Sequence, residues 1–165
     1  MRIAPCEFAR DGHAIQAIFN HAIAHTTALY EYEPRDLARI ADWFAQKEGK
    51  YPVLGAFDDD GHLIGFASYG PFRGFPANLY SVEHSVYVHP ERRGKGVAET
   101  LMQALIATAR EQQLHMMVGA IDATNGASIA LHQKLGFSHA GTLKEVGFKF
   151  ERWLDLAFYQ LKLAR

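Results

Sequence analysis

The sequence predicts an α/β fold of the α+β kind, one domain over residues 1–165, in which a mixed sheet carries helices on its faces. Three observations carry this. β-rich runs and apolar stripes of helical period follow one another in the order β-α-α-β-β-β-α-β-α-β-β. The 165 residues, 48% of them hydrophobic, suffice for a sizeable core, and no linker, internal repeat or low-complexity tract divides them. An Asp-Gly pair between two β-rich runs signals a hairpin, hence an antiparallel pair within the sheet.

Element by element, RIAPCEF reads as a short first strand. From about His13 to His25, Ala14, Ile15, Ile18, Phe19, Ala22 and Ile23 make a helical stripe. Pro34 suits the first turn of a second helix with Leu37, Ile40, Ala41 and Phe44 on one face and Gly49 beyond its end. YPVLGAF and HLIGFASY, joined by DDDG, form the hairpin. After the loop GPFRGFPAN, YSVEHSVYV alternates as a strand and runs through HPERRGKG into a helix from Val97 to Gln113. That helix buries a wide face, Val97, Leu101 and Leu105 beside Ala98, Met102, Ile106 and Ala109, with Glu99 and Arg110 placed to suit its dipole. HMMVGAI is a short apolar strand, NGASIALHQKLG a helix with Gly136 as its C-cap residue, and FSHAGTLKEVGFKF and RWLDLAFYQLKL two closing strands.

The strand-to-helix junction at Arg92–Gly96 is the most informative stretch. Amides at a helix N-terminus lack intrahelical partners, and the peptide dipoles add about half a positive charge there. Gly94 and Gly96 let the backbone close around an anion, and Arg92, Arg93 and Lys95 add charge at the rim. A pyrophosphate matches this description. The GxxxxGK[ST] loop is absent, and a GxGxxG fingerprint would need glycine where Glu99 stands. A net charge of −1 gives no basic field for nucleic acid, so any anion site is local.

Arg93-Gly94-Lys95-Gly96-Val97-Ala98 resembles the [QR]xxGx[GA] motif of the GNAT acetyltransferases, whose loop amides hold the pyrophosphate of acetyl-coenzyme A. Asn125 to Phe137 is similar to that family's second motif, the N-x-x-S/A helix ending in K-L-G-F. TALYEYEP, VEHSVYVHP and GFKF followed by RWLDLAFYQ extend the likeness along nearly the whole chain, toward the phosphinothricin and methionine sulfoximine acetyltransferase branch. The resemblance implies a mostly antiparallel sheet of six to seven strands, splayed at the cofactor site and flanked by about four helices. It also implies acetyl transfer from acetyl-CoA, by direct attack in a ternary complex, to the α-amine of a small amino-acid-like acceptor, and a homodimer with its acceptor pocket near the subunit boundary.

Site residues follow from the resemblance. Glu83 is the expected base and His132 the acid that protonates the leaving thiolate. Val86, Tyr87 and Val88 on the strand, Arg93, Gly94, Lys95, Gly96, Val97, Ala98 and Glu99 in the loop and helix start, and Asn125 and Ser128 are expected to bind the cofactor. Tyr30, Gly70, Pro71, Phe72, Arg73, Phe75, Glu83, His84 and Ser85 are expected to form the acceptor pocket, with Arg73 pairing a carboxylate. Three departures from the branch stand out: Pro76-Ala77-Asn78 replaces a shorter, arginine-bearing loop, Ala98 replaces the commoner glycine, and Glu151 replaces a glycine before Arg152-Trp153.

Other classes are weighed against this. Acceptors such as a protein N-terminus, a polyamine or an aminoglycoside keep the cofactor and call for an open or acidic groove. A non-catalytic CoA-sensing domain would not need both Glu83 and His132. His21 and His25 have the i, i+4 spacing of a metal pair but no third ligand, so no metal is expected. Cys6, the one cysteine, excludes an internal disulfide and reads as a structural thiol. No apolar run approaches the roughly 20 residues that span a bilayer, and no signal-peptide core is evident, so no membrane partner and a cytoplasmic location are expected.

Overall fold

The computed structural model describes residues 1–164. Seven strands form one sheet: β1 (Arg2–Pro5), β2 (Val53–Phe57), β3 (Leu63–Pro71), β4 (Ser81–Val88), β5 (Met116–Asp122), β6 (Ser138–Lys149) and β7 (Arg152–Lys162). Four α-helices accompany it: α1 (Phe8–His25), α2 (Leu37–Lys47), α3 (Val97–Glu111) and α4 (Gly126–Lys134). The spatial order is β1-β2-β3-β4-β5-β7-β6, and every adjacent pair is antiparallel except β4 with β5.

That exception positions the site. β4 and β5 pair only from Ser81↔Met116 to Glu83↔Val118 and then part. Beyond the fork β4 stays on β3 as far as Val88, while β5 stays on β7 as far as Asp122. The sheet is thus split along half its height, as the expected splay requires.

One core lies on each face. Ile15, Ile18 and Phe19 of α1 pack with Ile40 of α2 and with Val53 and Phe66 of the sheet. On the opposite face Leu101, Met102 and Leu105 of α3 pack with Val82, Met117 and Ala157. Gly65 permits this close approach of α3, because a side chain there would stand 3.2 Å from both Leu101 and Val97.

Several boundaries differ from expectation, each for a local reason. α1 starts at Phe8, not near His13, because the Asp11 carboxylate turns back to accept from the Glu7 amide at 2.8 Å and so caps a turn with no apolar signature. α2 starts after Pro34: its cap is Asp36, whose carboxylate accepts from the Arg39 amide at 2.8 Å. α3 stops at Glu111, two residues short of Gln113, which takes a positive φ. The Asp-Gly stretch is a longer turn than the two-residue type, with Phe57 paired to Leu63 and Asp58 accepting from the amides of Asp60 and His62. β3 runs through Gly70 and Pro71, so both lie on a strand, not in the loop.

Candidate active site

The loop expected to hold the diphosphate is open on its outer side. Gly94 and Gly96 take φ of +77° and +79°, a region that excludes most side chains, and a Cβ built on either meets open space. Among the described residues, no protein group accepts a hydrogen bond from the amides of Arg93 through Glu99. Those donors therefore face outward at the positive end of α3. Arg92 lines the groove and pairs with Asp58 at 3.0 Å, fixing the loop to the β2–β3 turn, whereas Arg93 and Lys95 are exposed at the rim.

From this loop a groove of about 510 Å³ runs along the parted edge of β4, lined by Val86, Tyr87 and Val88, by Gly94 through Glu99 except Lys95, and by Asn125 and Ser128 across it. Asn125 caps α4, its side-chain oxygen accepting from the Ser128 amide at 3.1 Å. Of the expected cofactor-binding residues, only Lys95 stands off the groove.

A narrow cavity of about 70 Å³ inside the fork continues the groove, and Ala28, His84, Ser85, Gly119, Asp122 and His132 are among its walls. It leads to a third space of about 340 Å³ on the α1–α2 face, between Phe19, Tyr30, Arg35, Trp43, Glu83 and Tyr87. The three spaces adjoin along a passage through the sheet marked by shared walls: Val86, Asn125 and Ser128 belong to the first two, His84, Ser85, Ala120 and Asp122 to the last two, and Ala28 and Tyr87 to all three.

Glu83 opens onto the third space, and its partial burial there raises its pKa above the ordinary carboxylate value. His84, the next residue, points to the other face. Its Nδ1 lies 3.1 Å from the Val118 carbonyl, just where the β4–β5 ladder ends, and its Nε2 lies 2.9 Å from His132 Nε2. His132 in turn sets Nδ1 2.6 Å from the Ser128 carbonyl. Gly119 makes room for this pair, since a Cβ there would stand 2.6 Å from His84.

Proton counting constrains the pair. A carbonyl only accepts, so each Nδ1 contact asks for an N–H, and the Nε2–Nε2 contact asks for a third ring proton. Burial, with the neighbouring His132 adding to it, lowers the His84 pKa to about 3, and burial lowers His132 as well. A neutral pair therefore holds two protons for three contacts. Both nitrogens of His132 are engaged, so serving as an acid toward the groove requires it to release His84 or Ser128.

Not every expected acceptor residue joins the site. Gly70 stands opposite Glu83 across the β3–β4 ladder and Pro71 follows it. Phe72, Arg73 and Phe75 line none of the three spaces; Arg73 is exposed, with its guanidinium 5.8 Å from the Phe75 ring, and Phe75 is 59% exposed. The loop projects away from the passage because β3 carries the chain past Glu83 before it turns. Arg35, Trp43 and Asp122 line the third space instead, and no motif flagged them.

Burial, then Asp11, push the Cys6 thiol up to about 12, the opposite of an activated nucleophile. Among the described residues the one group of three His, Cys, Asp or Glu side chains close enough to share an ion is Asp58, Asp60 and His62, which excludes His21 and His25. Among the described residues no helix is long and apolar enough to cross a membrane.

The chain is similar to known acetyltransferases. A family model described as Acetyltransferase (GNAT) family matches residues 15–137. An L-methionine sulfoximine/L-methionine sulfone acetyltransferase of Pseudomonas paraeruginosa is 51% identical over 150 residues, covering 90% of this chain and 87% of that protein. An L-amino acid N-acyltransferase of Escherichia coli is 44% identical, covering 94% and 92%. The crystal structure of a GNAT superfamily phosphinothricin acetyltransferase from Sinorhizobium meliloti in complex with AcCoA superimposes with a TM-score of 0.96 at 35% identity, covering 99% of this chain and 88% of that one.

Proposed function

Because the chain belongs to the acetyltransferase (GNAT) family, we propose that it moves acetyl from acetyl-CoA to the α-amine of a small amino acid of the methionine sulfoximine, methionine sulfone or phosphinothricin kind. The single observation that carries this is the passage through the split sheet, with a diphosphate cradle at one end and a carboxylate-lined, amino-acid-sized cavity at the other.

The residues fit acetyl-CoA. The free amides from Arg93 to Glu99 are donors for its diphosphate, and the open space over Gly94 and Gly96 leaves room for it. When bound, it supplies a thioester carbonyl open to attack. Val86 and Val88, on the parted edge of β4, have backbone groups free of β5 to hold the pantetheine arm and the acetyl oxygen.

Glu83 faces the acceptor and removes a proton from its ammonium, directly or through water. The freed amine lone pair forms the C–N bond as the C–S bond breaks; the nitrogen sheds its second proton in becoming an amide and the departing thiolate takes up one, so the net proton released is the one on Glu83. His132, hydrogen-bonded to His84, gives the sulfur one proton and takes up the one the nitrogen sheds, so the pair ends neutral with two ring protons, as it began. Acceptor and thioester meet in the fork, so transfer is direct and needs no acyl-enzyme.

Two further parts of this reading concern assembly and place. The exposed Leu143, Val146, Phe148 and Trp153 of β6 and β7 support a homodimer, which light scattering tests. Its use of acetyl-CoA supports a cytoplasmic location.

Release of free thiol from acetyl-CoA, measured against a panel of amino acids, polyamines, aminoglycosides and peptides, tests the function. Turnover with methionine sulfone or phosphinothricin and intersecting initial-rate lines are expected. Turnover confined to polyamines or peptides, or parallel lines with a labelled acetyl-protein, would overturn it.

A further inference from the structure

The acceptor cavity needs a cation if its ligand is an amino acid and not a simple amine, and Arg73, the residue expected for that role, is exposed outside it. We propose that Arg35, on the segment between α1 and α2, is the carboxylate-binding residue of the acceptor site and selects α-amino acids over amines. This rests on the acetyl-transfer reading above.

Arg35 lines the cavity with Glu83, and its side chain is only 12% exposed. The fold fixes it at both ends. Its backbone is clamped by α1: Asn20 accepts from the Arg35 amide at 2.8 Å and donates to its carbonyl at 3.0 Å, and Gln16 donates to the same carbonyl at 3.1 Å. Its guanidinium lies 4.2 Å over the Phe19 ring, and Glu31 holds Nε and Nη2, each at 3.1 Å. Among the described residues no group accepts from Nη1. Glu31 also takes Arg39 at 2.7 Å, so two guanidinium groups share one carboxylate and the cluster keeps a net positive charge.

The other nearby cations are committed elsewhere. Lys47 donates to the Tyr69 carbonyl, Lys149 to those of Thr26 and Leu29, and Arg152 lies 3.8 Å from Asp122. With Arg35 on one wall and Glu83 and Asp122 on others, the cavity presents one cation and two carboxylates, the complement of a zwitterion's carboxylate and ammonium. A simple amine would leave Arg35 with no anion to meet.

The test compares L-methionine sulfone with its decarboxylated analogue, 3-(methylsulfonyl)propylamine, on wild type, Arg35→Gln, Arg35→Lys and Arg73→Gln. CoA affinity by calorimetry checks that each variant is folded. We expect the wild-type preference for the acid, as the ratio of kcat/KM values, to fall roughly tenfold or more in Arg35→Gln, mostly through KM, and partly to recover in Arg35→Lys. An unchanged ratio in Arg35→Gln, or a collapse in Arg73→Gln alone, overturns the assignment while leaving acetyl transfer intact. Failure of wild type to acetylate any amino acid defeats the functional reading itself.

Discussion

Glu83 and His84 are neighbours in sequence yet serve opposite faces of the sheet, because successive side chains of a strand alternate. That alternation puts the proposed base on the α1–α2 face and the imidazole pair on the opposite one. Glu83 acts only when ionised, and partial burial raises its pKa, so kcat/KM for the acceptor should climb with pH through a limb above the ordinary carboxylate range. Glu83→Gln should lower kcat by about 10²-fold or more and abolish that limb, with acetyl-CoA affinity kept. An unaltered pH–rate profile removes Glu83 from the chemistry. The residue was legible as a lone carboxylate on a Val- and Tyr-rich strand just upstream of the phosphate loop. Arg35 was not, since its role comes from Asn20 and Gln16, fifteen and nineteen residues earlier, and no spacing rule links them.

The β4–α3 junction reads from sequence because glycine spacing, cations and the apolar stripe are all local. Valine at Gly96 should be strained by its φ of +79° and fill the space over the cradle. We expect at least a tenfold weaker CoA affinity by calorimetry with the fold retained, and equal affinity would unseat the loop assignment. The β6–β7 hairpin is the opposite case. Lys149 pairs with Arg152 across Phe150 and Glu151, which take φ of +52° and +59°. A two-residue turn of this kind favours Asn-Gly, and neither residue present announces it. Glu151→Gly should stabilise the protein by about 0.5–1 kcal/mol, read as a melting temperature raised by roughly 1–4 °C, since relief of strain outweighs the lost chain stiffness. A lower melting temperature would mean the strain is absent.

At the scale of the molecule, the order of elements was legible and the fork was legible only by family resemblance. Periodicity marks where strands run, not where two stop pairing, and the parting after Glu83 depends on His84 standing in for the next rung. The α1–α2 segment shows the same limit. Lys149 donates to the carbonyls of Thr26 and Leu29 at 2.7 Å each, the Tyr32 hydroxyl donates to the Phe148 carbonyl, and Tyr30 packs on Gly147. More than a hundred residues separate these partners. Lys149→Met should free two partly buried carbonyls and loosen the segment, raising KM for the acceptor several-fold, a larger change than in KM for acetyl-CoA, as steady-state kinetics would show. Equal changes in both constants would count against this.

The tether gives the terminal hairpin a say in what the enzyme accepts. Changes around Phe148–Arg152 would shift Tyr30 and Arg35 together, without altering a single side chain that lines the acceptor space. Drift in this family's appetite, natural or selected in the laboratory, can therefore begin at a surface ribbon that a search confined to pocket residues would never sample.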